Sequence, residues 1–210
     1  MLADETHAFL VKRLKLNGAP KIRVDKFTRE DFADLLGELK FNVGAEIGVD
    51  TGRYSMVLCQ RNPSLKLYCI DPWAVFESYH QTQEPYDLLY AETCERLKPY
   101  SCTIIRETSM SAVKHFADRS LQFVYIDGNH HYSYVYEDLQ EWSKKVMVGG
   151  IISGHDYRHY NGETSKNWNI VGAVNNFVRE NNISQLIIFG RNTELWGYRS
   201  CPQSFMWVNR

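Results

Sequence analysis

Residues 123–157 read FVYIDGNHHYSYVYEDLQEWSKKVMVGGIISGHDY, and the arrangement of this stretch predicts the fold. One apolar run ends at Asp127, and a second ends at His155 and Asp156. Between the two runs, apolar residues recur every three or four positions, which is typical of an amphipathic helix. A strand, a helix and a second strand in succession form the repeating unit of a parallel sheet.

The same alternation extends along most of the chain. Short apolar runs predict seven strands, at residues 43–49, 65–71, 102–107, 121–127, 150–156, 185–189 and 204–208. Such strands alternating with helices favour a mostly parallel sheet with helices on both faces. No helical pattern separates the last two strands, so we expect the final strand to be antiparallel and to lie at an edge of the sheet.

The first 40 residues differ in the spacing of their apolar residues and are interpreted as helices. Thr28 and Asp31 have the spacing of a near capping box, which marks a helix start. We expect residues 1–40 to form a helical cap on a core of residues 41–210, within one domain of 210 residues.

Composition excludes several classes of function. Lys and Arg number 24 and Asp and Glu 25, so no basic excess favours nucleic acid or an anionic membrane as partner. No apolar stretch has the length of a membrane span, and the N-terminus lacks the apolar core of a signal peptide. The five cysteines are scattered without a CxxC pair, which favours the reduced cytoplasm.

The first two predicted strand ends carry residues suited to a nucleotide. Glu46, Gly48 and Gly52 surround a strand-to-helix turn, where glycines allow close approach of a ligand. Asp71 ends the next strand, where a carboxylate can accept hydrogen bonds from ribose hydroxyls. A plain turn and a helix cap would explain each motif singly, but their pairing favours the ribose interpretation.

Two later strand ends carry acids and histidines. Asp127 is followed by His130 and His131, and His155 precedes Asp156. Carboxyl ends of neighbouring parallel strands meet at one edge of the sheet, so these groups are expected to cluster. An Asx-type turn explains His131 sufficiently, whereas the two acids with His130 and His155 exceed what a structural loop needs.

Together these motifs resemble the class I S-adenosylmethionine-dependent methyltransferases. The order strand, IDG, His, Tyr, helix with Asp and Trp, GG, strand and HDY is most similar to the family that includes sugar and macrolide O-methyltransferases and cephalosporin hydroxylase-like proteins. The resemblance covers roughly residues 40–190 by motif. It implies a Rossmann-like α/β fold with S-adenosyl-L-methionine as cofactor.

The resemblance also implies roles for individual residues. The cofactor site would consist of Glu46, Gly48, Gly52, Asp71, Ser109 and Asp127. The first three would lie against the methionine part, Asp71 would bind the ribose, Ser109 would contact adenine, and Asp127 would lie near the transferred methyl group. One departure is Asp50, which stands where the cofactor loop usually has a further glycine.

Related O-methyltransferases hold a divalent metal at the ends of the fourth and fifth strands, which implies a catalytic group of Asp127, His130, His155 and Asp156. Asp127, Asp156 and His155 would bind Mg²⁺ or another divalent cation, since oxygen ligands suit such ions. His130 or His155 would serve as the base or as an extra ligand. A competing hypothesis has a histidine base and no metal.

The acceptor is expected to be a small molecule with a hydroxyl group. Aromatic and histidine side chains follow Asp71 and Asp156 and would suit a sugar or another polyol; they include Trp73, Phe76, Tyr79, His80, Tyr86, Tyr157, His159, Tyr160 and Trp168. Family members often assemble, so a homo-oligomer is also expected.

Three rival functions share parts of this pattern. A nicotinamide-dependent dehydrogenase would use Asp71 and the glycine turn, but the turn does not match G-x-G-x-x-G. A non-catalytic nucleotide-binding protein would have no need for Asp127 and Asp156. Nucleic-acid methylation is disfavoured by the balanced charge and by the absence of an Asn/Asp-Pro-Pro-Tyr motif near the fourth strand.

Overall fold

A computed structural model describes residues 3–75, 82–158, 168–190 and 203–210. Phe76, Tyr79, His80, His159 and Tyr160, all expected near the acceptor, lie outside the described residues.

The described residues form one eight-stranded sheet. Its strands are β1 (Lys21–Val24), β2 (Val43–Ile47), β3 (Lys66–Ile70), β4 (Cys102–Ile105), β5 (Leu121–Ile126), β6 (Val146–Gly154), β7 (Leu186–Phe189) and β8 (Ser204–Val208). Their spatial order is β1-β7-β8-β6-β5-β2-β3-β4, and every pairing except those of β8 is parallel. The predicted Rossmann-like α/β fold is confirmed.

Helices cover both faces of this sheet. They are α1 (Ala3–Leu14), α2 (Arg29–Glu38), α3 (Arg53–Arg61), α4 (Glu84–Leu97), α5 (Ser109–Ala112), α6 (Tyr132–Lys145) and α7 (Ile170–Glu180). The first four pack into one apolar cluster, and α5, α6 and α7 pack into a second. Successive strand side chains alternate between the clusters: Phe123 and Tyr125 belong to the first, and Val124 and Ile126 to the second.

The sequence prediction of seven strands was wrong by one, because β1 lies within the 40 residues expected to be helical. This strand has only four residues, and its two basic side chains alternate with Ile22 and Val24. Among the described strands it pairs with β7 alone and is an edge strand, where charged side chains are common. An alternation over four residues is too short to predict a strand between two stronger helical patterns.

The final strand is antiparallel, as predicted, but it does not lie at an edge. β8 is hydrogen-bonded between β6 and β7, and all five of its residues are buried. The edges are β1 and β4. The missing helix between the last two strands indicates the direction of β8 but not which neighbours it has.

The predicted start of α2 is confirmed in detail. Asp31 accepts a hydrogen bond from the backbone of Thr28, and Thr28 Oγ1 accepts one from Asp31, which completes a capping box. The predicted apolar face is buried and comprises Phe32, Leu35, Leu36 and Leu39. The cap fixes the first helical residue, Arg29, at the same edge of the sheet as the carboxyl ends of the parallel strands.

Among the helices described, none is long and apolar enough to span a lipid bilayer.

Candidate active site

Hydrogen bonds continue past the ends of the parallel strands and bring their loops together. The backbone N–H of Asp127 donates to Ile47 at 2.7 Å, and that of His155 donates to Ile126 at 2.9 Å. The residues after β2, β5 and β6 therefore stand side by side. The strand order reverses direction between β2 and β5, and ligands of open α/β sheets bind at such a point.

A cavity of about 650 Å³ lies at this edge. Four of the six predicted cofactor residues line it: Gly48, Asp71, Ser109 and Asp127. Ile47, Ile70 and Met110 add apolar surface to these polar residues. A cavity with both kinds of lining suits a ligand that has a flat base and a charged end.

Gly48 permits the close approach of two loops. Its φ is +87°, and a Cβ added there would lie 2.2 Å from the carbonyl oxygen of Asp127. Two residues on, Asp50 adopts φ of +49°, a left-handed conformation that Asp tolerates better than most side chains. The turn thus keeps its left-handed geometry although Asp50 replaces the usual glycine.

Asp71 holds this turn from the neighbouring strand. Its Oδ2 accepts hydrogen bonds from the backbone of Val49 and Asp50, each at 3.0 Å, and its Oδ1 accepts one from Trp73 at 2.8 Å. Burial raises the pKa of Asp71, and these three N–H groups partly offset that effect. The carboxylate therefore organises the turn while it also faces the cavity.

Glu46 and Gly52 are not among the described residues that line the cavity. Glu46 is 1% exposed and accepts a hydrogen bond from Ser55 on α3. Burial raises the pKa of Glu46 to about 8. Gly52 is the N-cap residue of α3, with φ of +70°, and packs against Thr93 on α4. Direct contact of either residue with the cofactor stays a prediction.

Ser109 opens α5 and is held by α6. Its hydroxyl donates to Asp138, and its oxygen accepts a hydrogen bond from the indole of Trp142 at 2.7 Å. Asp138 is buried and lines the cavity; it is the aspartate of the helix in the family motif, but the sequence assigned it no role. Burial raises the pKa of Asp138 to about 7.

The predicted catalytic residues lie together at the ends of β5 and β6. Ligand atoms of Asp127, His130 and Asp156 all lie within 4.8 Å of one another. His130 Nε2 is 3.1 Å from Asp156 Oδ2. His131 is not a member of this group. Its backbone N–H donates to the side chain of Asn129 in the expected Asx-type turn.

His155 lies behind this group, between the two carboxylates. Its Nδ1 is 3.5 Å from Asp127 Oδ1 and 3.6 Å from Asp156 Oδ2, and the residue is 7% exposed. Burial lowers its pKa, but hydrogen bonds to the two carboxylates outweigh burial and raise the pKa to about 8. The raised pKa favours the protonated form of His155, whose positive charge in turn lowers the pKa of Asp156.

Asp156 has two signs of a functional position. Its φ is +56°, a conformation that costs energy in a residue other than glycine. Its Oδ1 is buried without a hydrogen-bond partner in the described part of the chain, although the Nε of Arg158 lies 3.5 Å away. Hydrogen bonds to His130 and His155 outweigh burial and lower the pKa of Asp156.

Arg29 joins the group from α2 and was missed by the sequence analysis. Its guanidinium lies 3.8 Å from Asp127 Oδ2 and 4.8 Å from the ring centre of Tyr54. In sequence it is an ordinary first residue of an amphipathic helix. The capping box at Thr28 located that helix start, but only the packing of α2 on the sheet brings it to Asp127.

Four aromatic residues expected at the acceptor lie among the described residues: Trp73, Tyr86, Tyr157 and Trp168. Tyr157 is buried, and the ring centre of Trp168 lies 5.2 Å from that of His130. The indole of Trp73 is 1% exposed and donates to the carbonyl of Asp50, so it supports the cofactor turn. Tyr86 lines the cavity.

Comparison with known proteins identifies the family. A family model described as a methyltransferase domain matches residues 45–157, which include the cofactor turn and both acidic strand ends. The chain belongs to this methyltransferase family. Its class is that of the S-adenosylmethionine-dependent enzymes, which removes the nicotinamide dehydrogenase and the non-catalytic binding protein as alternatives. A search of curated proteins found no match.

Solved structures share the fold of this methyltransferase at low sequence identity. A Staphylococcus aureus protein described as a caffeoyl-CoA O-methyltransferase has a TM-score of 0.60 at 13% identity, over 99% of this chain and 92% of its own. A Klebsiella pneumoniae protein described as an O-methyltransferase has a TM-score of 0.61 at 13% identity, over 99% and 88%. The Bacillus cereus O-methyltransferase in complex with SAH has a TM-score of 0.59 at 13% identity, over 99% and 90%.

Replacing Gly48 by alanine tests the close approach to Asp127. We expect Gly48→Ala to lower the free energy of unfolding by more than about 2 kcal/mol, because a Cβ clash adds to the cost of positive φ. Gly18→Ala is the matched control, since Gly18 has φ of +25° with nothing within 4 Å of an added Cβ. Urea denaturation of both variants measures the difference. Equal losses would contradict the clash.

The buried carboxyl of Glu46 predicts a pH-dependent stability. Because its pKa rises from 4.5 to about 8 on folding, its contribution to stability is complete below pH 4.5 and is lost as the pH rises through about 8. The glutamine of Glu46→Gln cannot titrate. Between pH 5 and pH 9 the free energy of unfolding of this variant should therefore fall less than that of wild type, and the difference should be at least about 1 kcal/mol. Urea denaturation at several pH values measures this, with exposed Glu92→Gln as control. Parallel profiles for wild type and Glu46→Gln would refute the prediction.

Proposed function

We propose that this methyltransferase transfers the methyl group of S-adenosylmethionine to a hydroxyl of a small-molecule acceptor, such as a sugar, with a divalent cation beside that hydroxyl. The observation that carries the proposal is the convergence of Asp127, His130 and Asp156 next to a cavity lined by Gly48 and Asp71. The SAH complex of the Bacillus cereus neighbour supports the cofactor.

The cavity supports a defined orientation of the cofactor. Asp71 has acceptor capacity beyond the three N–H groups it binds and would take the ribose hydroxyls. Ser109 and Met110 line the side of the cavity suited to the base. Asp127 lines the same cavity and belongs to the catalytic group, so it would lie where the methyl group leaves.

Methyl transfer requires alignment and a deprotonated acceptor oxygen more than it requires covalent help. Holding two reactants in line lowers the barrier by several kcal/mol. The acceptor hydroxyl must also lose its proton to a base within hydrogen-bond reach. The side chain of His130 is 24% exposed and that of His155 is 7% exposed, so His130 is the better placed of the two to reach a substrate.

The residues present fit a divalent cation. Asp127, Asp156 and His130 offer two carboxylates and an imidazole, a donor set that suits Mg²⁺ or Mn²⁺. Asp156 Oδ1 is buried and, among the described residues, accepts no hydrogen bond. When bound, such a cation lowers the pKa of a hydroxyl that it contacts. In this arrangement the nitrogen ligand is His130. His155, which the sequence predicted as a ligand, instead supports both carboxylates.

The competing hypothesis, a histidine base without a metal, has its own support. The guanidinium groups of Arg29 and Arg158 lie 3.8 Å and 3.5 Å from the same carboxylates. These positive charges offset part of the negative charge that would attract a cation. In this version Asp156 orients His130, and His130 accepts the proton of the acceptor hydroxyl.

The remaining proposals concern the setting of the reaction. Four cysteines, Cys59, Cys69, Cys94 and Cys102, are free thiols, which supports the cytoplasm as location. The balanced charge of the chain supports a small molecule, and not nucleic acid, as the methyl acceptor. Homo-oligomer formation stays a prediction.

Binding of the cofactor is tested through Asp71. We expect wild type to bind S-adenosylmethionine and not NAD. Asp71→Asn should weaken the binding at least about tenfold, because the asparagine side chain keeps a single oxygen to accept hydrogen bonds from both the turn and the ribose. Isothermal titration measures both ligands, and Asp118→Asn on the surface is the control. Binding of NAD by the wild type, or unchanged affinity in Asp71→Asn with an intact melting curve, would contradict the assignment.

Participation of a metal is tested by removing it. After chelation, methyl transfer from labelled S-adenosylmethionine to a panel of sugars and other polyols should fall at least about tenfold and recover with Mg²⁺ or Mn²⁺. Asp156→Asn should lose this recovery, because the amide weakens the donor set. Full activity in chelator, abolished in His130→Ala, would instead support the metal-free base.

A further inference from the structure

Three of the described cysteines meet on the face of the sheet that α3 covers. Cys59 lies on α3, Cys69 on β3 and Cys102 at the start of the edge strand β4. The sulfur atoms of Cys59 and Cys102 are 3.5 Å apart, and Cys69 also forms a hydrogen bond with Cys102. None of the three is among the described residues that line the cofactor cavity. The thiol cluster is thus separate from the predicted cofactor and catalytic residues.

The three thiols differ in their access to solvent. Cys59 is 4% exposed and Cys69 is fully buried, whereas Cys102 is half-buried. Cys102 is the first residue of β4, and among the described strands β4 pairs with β3 alone. A small oxidant that approaches from solvent therefore meets the sulfur of Cys102 first.

The contacts within the cluster also make Cys102 the nucleophile. A thiolate, and not a thiol, reacts with peroxides. Hydrogen bonds from Cys59 and Cys69 lower the pKa of Cys102 below the usual range of a thiol, although burial opposes them. The same contact with Cys102 raises the pKa of Cys59, which keeps its proton. A reactive thiolate beside a second cysteine that can resolve it is the arrangement of redox-sensitive sites.

We propose that Cys59 and Cys102 form a reversible disulfide when the protein meets hydrogen peroxide, and that this bond ties α3 to the edge strand β4. The Cys102 sulfur attacks one peroxide oxygen, the O–O bond breaks, and the leaving hydroxide takes up a proton to become water. The Cys59 sulfur then attacks the sulfenic acid on Cys102. The S–S bond forms, the S–O bond breaks, and the hydroxide leaves with the Cys59 proton as a second water.

The first step prepares the second. A neutral sulfenic acid no longer carries the charge of the Cys102 thiolate, which helps to raise the pKa of Cys59, so the Cys59 proton is released more easily. The two sulfurs are already in contact and have to come to about 2.05 Å in the disulfide. In a reduced compartment such a bond is transient, because thiol reductants reverse it by exchange.

Peptide mapping of the wild type tests the site. The reduced full-length protein, dilute enough to disfavour links between chains, is treated with hydrogen peroxide, and the remaining thiols are alkylated. Mass spectrometry without reduction should find a peptide that joins Cys59 to Cys102, and dithiothreitol should restore both thiols. The oxidised protein should melt at least about 5 °C above the reduced protein, because the cross-link restricts the unfolded chain.

Three variants separate the roles of the thiols. Cys59→Ser lacks the resolving thiol, so labelling of the Cys102 sulfenic acid by dimedone should rise at least about tenfold over wild type. Cys102→Ser should leave Cys59 unoxidised at the same peroxide dose. Cys94→Ser is the matched control: Cys94 is also half-buried, but it lies on α4 and hydrogen-bonds Tyr90, so the disulfide should form as in wild type.

The wild type alone can refute the proposal, even if a variant does not fold. A link between Cys69 and Cys102, a link that includes Cys94 or Cys201, or the absence of any linked peptide would overturn it. If the Cys59–Cys102 link forms without a rise in melting temperature, the proposed tie between α3 and β4 is wrong.

Discussion

The close approach of Gly48 to the backbone of Asp127 is the constraint on which the rest of the site depends. The loops after β2 and β5 meet where the strand order reverses, and the added Cβ of any other residue would lie 2.2 Å from the Asp127 carbonyl. With that contact in place, the cofactor cavity and the acidic group share Asp127. A wider separation of the two loops would detach the reacting groups from the cofactor.

Several polar side chains of the site hold neighbouring parts of the protein and also line the cavity. Asp71 holds three backbone N–H groups of the turn and still faces the cavity, and Ser109 is fixed by α6 while it lines the same space. Such residues cost stability when they are buried, as the raised pKa values of Asp71 and Asp138 indicate. Their hydrogen bonds recover part of that cost and prevent the side chains from rotating away from the ligand.

Charge is balanced closely around the two carboxylates that are predicted to be catalytic. His155 lies between Asp127 and Asp156, and Arg29 and Arg158 each approach one of them. The positive charge of His155 lowers the pKa of Asp156, and the arginines oppose the binding of a further cation. These charges lie on the segments after β5 and β6 and at the start of α2, so the balance is a property of the packed fold.

The sequence by itself determined the class of fold and the family, because strand and helix periodicity and the strand-end residues are local patterns. It placed Asp71, Asp127, His130, His155 and Asp156 at one edge, since the carboxyl ends of parallel strands must meet there. Only the tertiary structure decided that β8 inserts between β6 and β7, that Glu46 is buried against Ser55, and that Arg29 and Asp138 reach the site. The physical reason is that strand order and helix packing depend on contacts between distant residues, which leave no regular spacing in the chain.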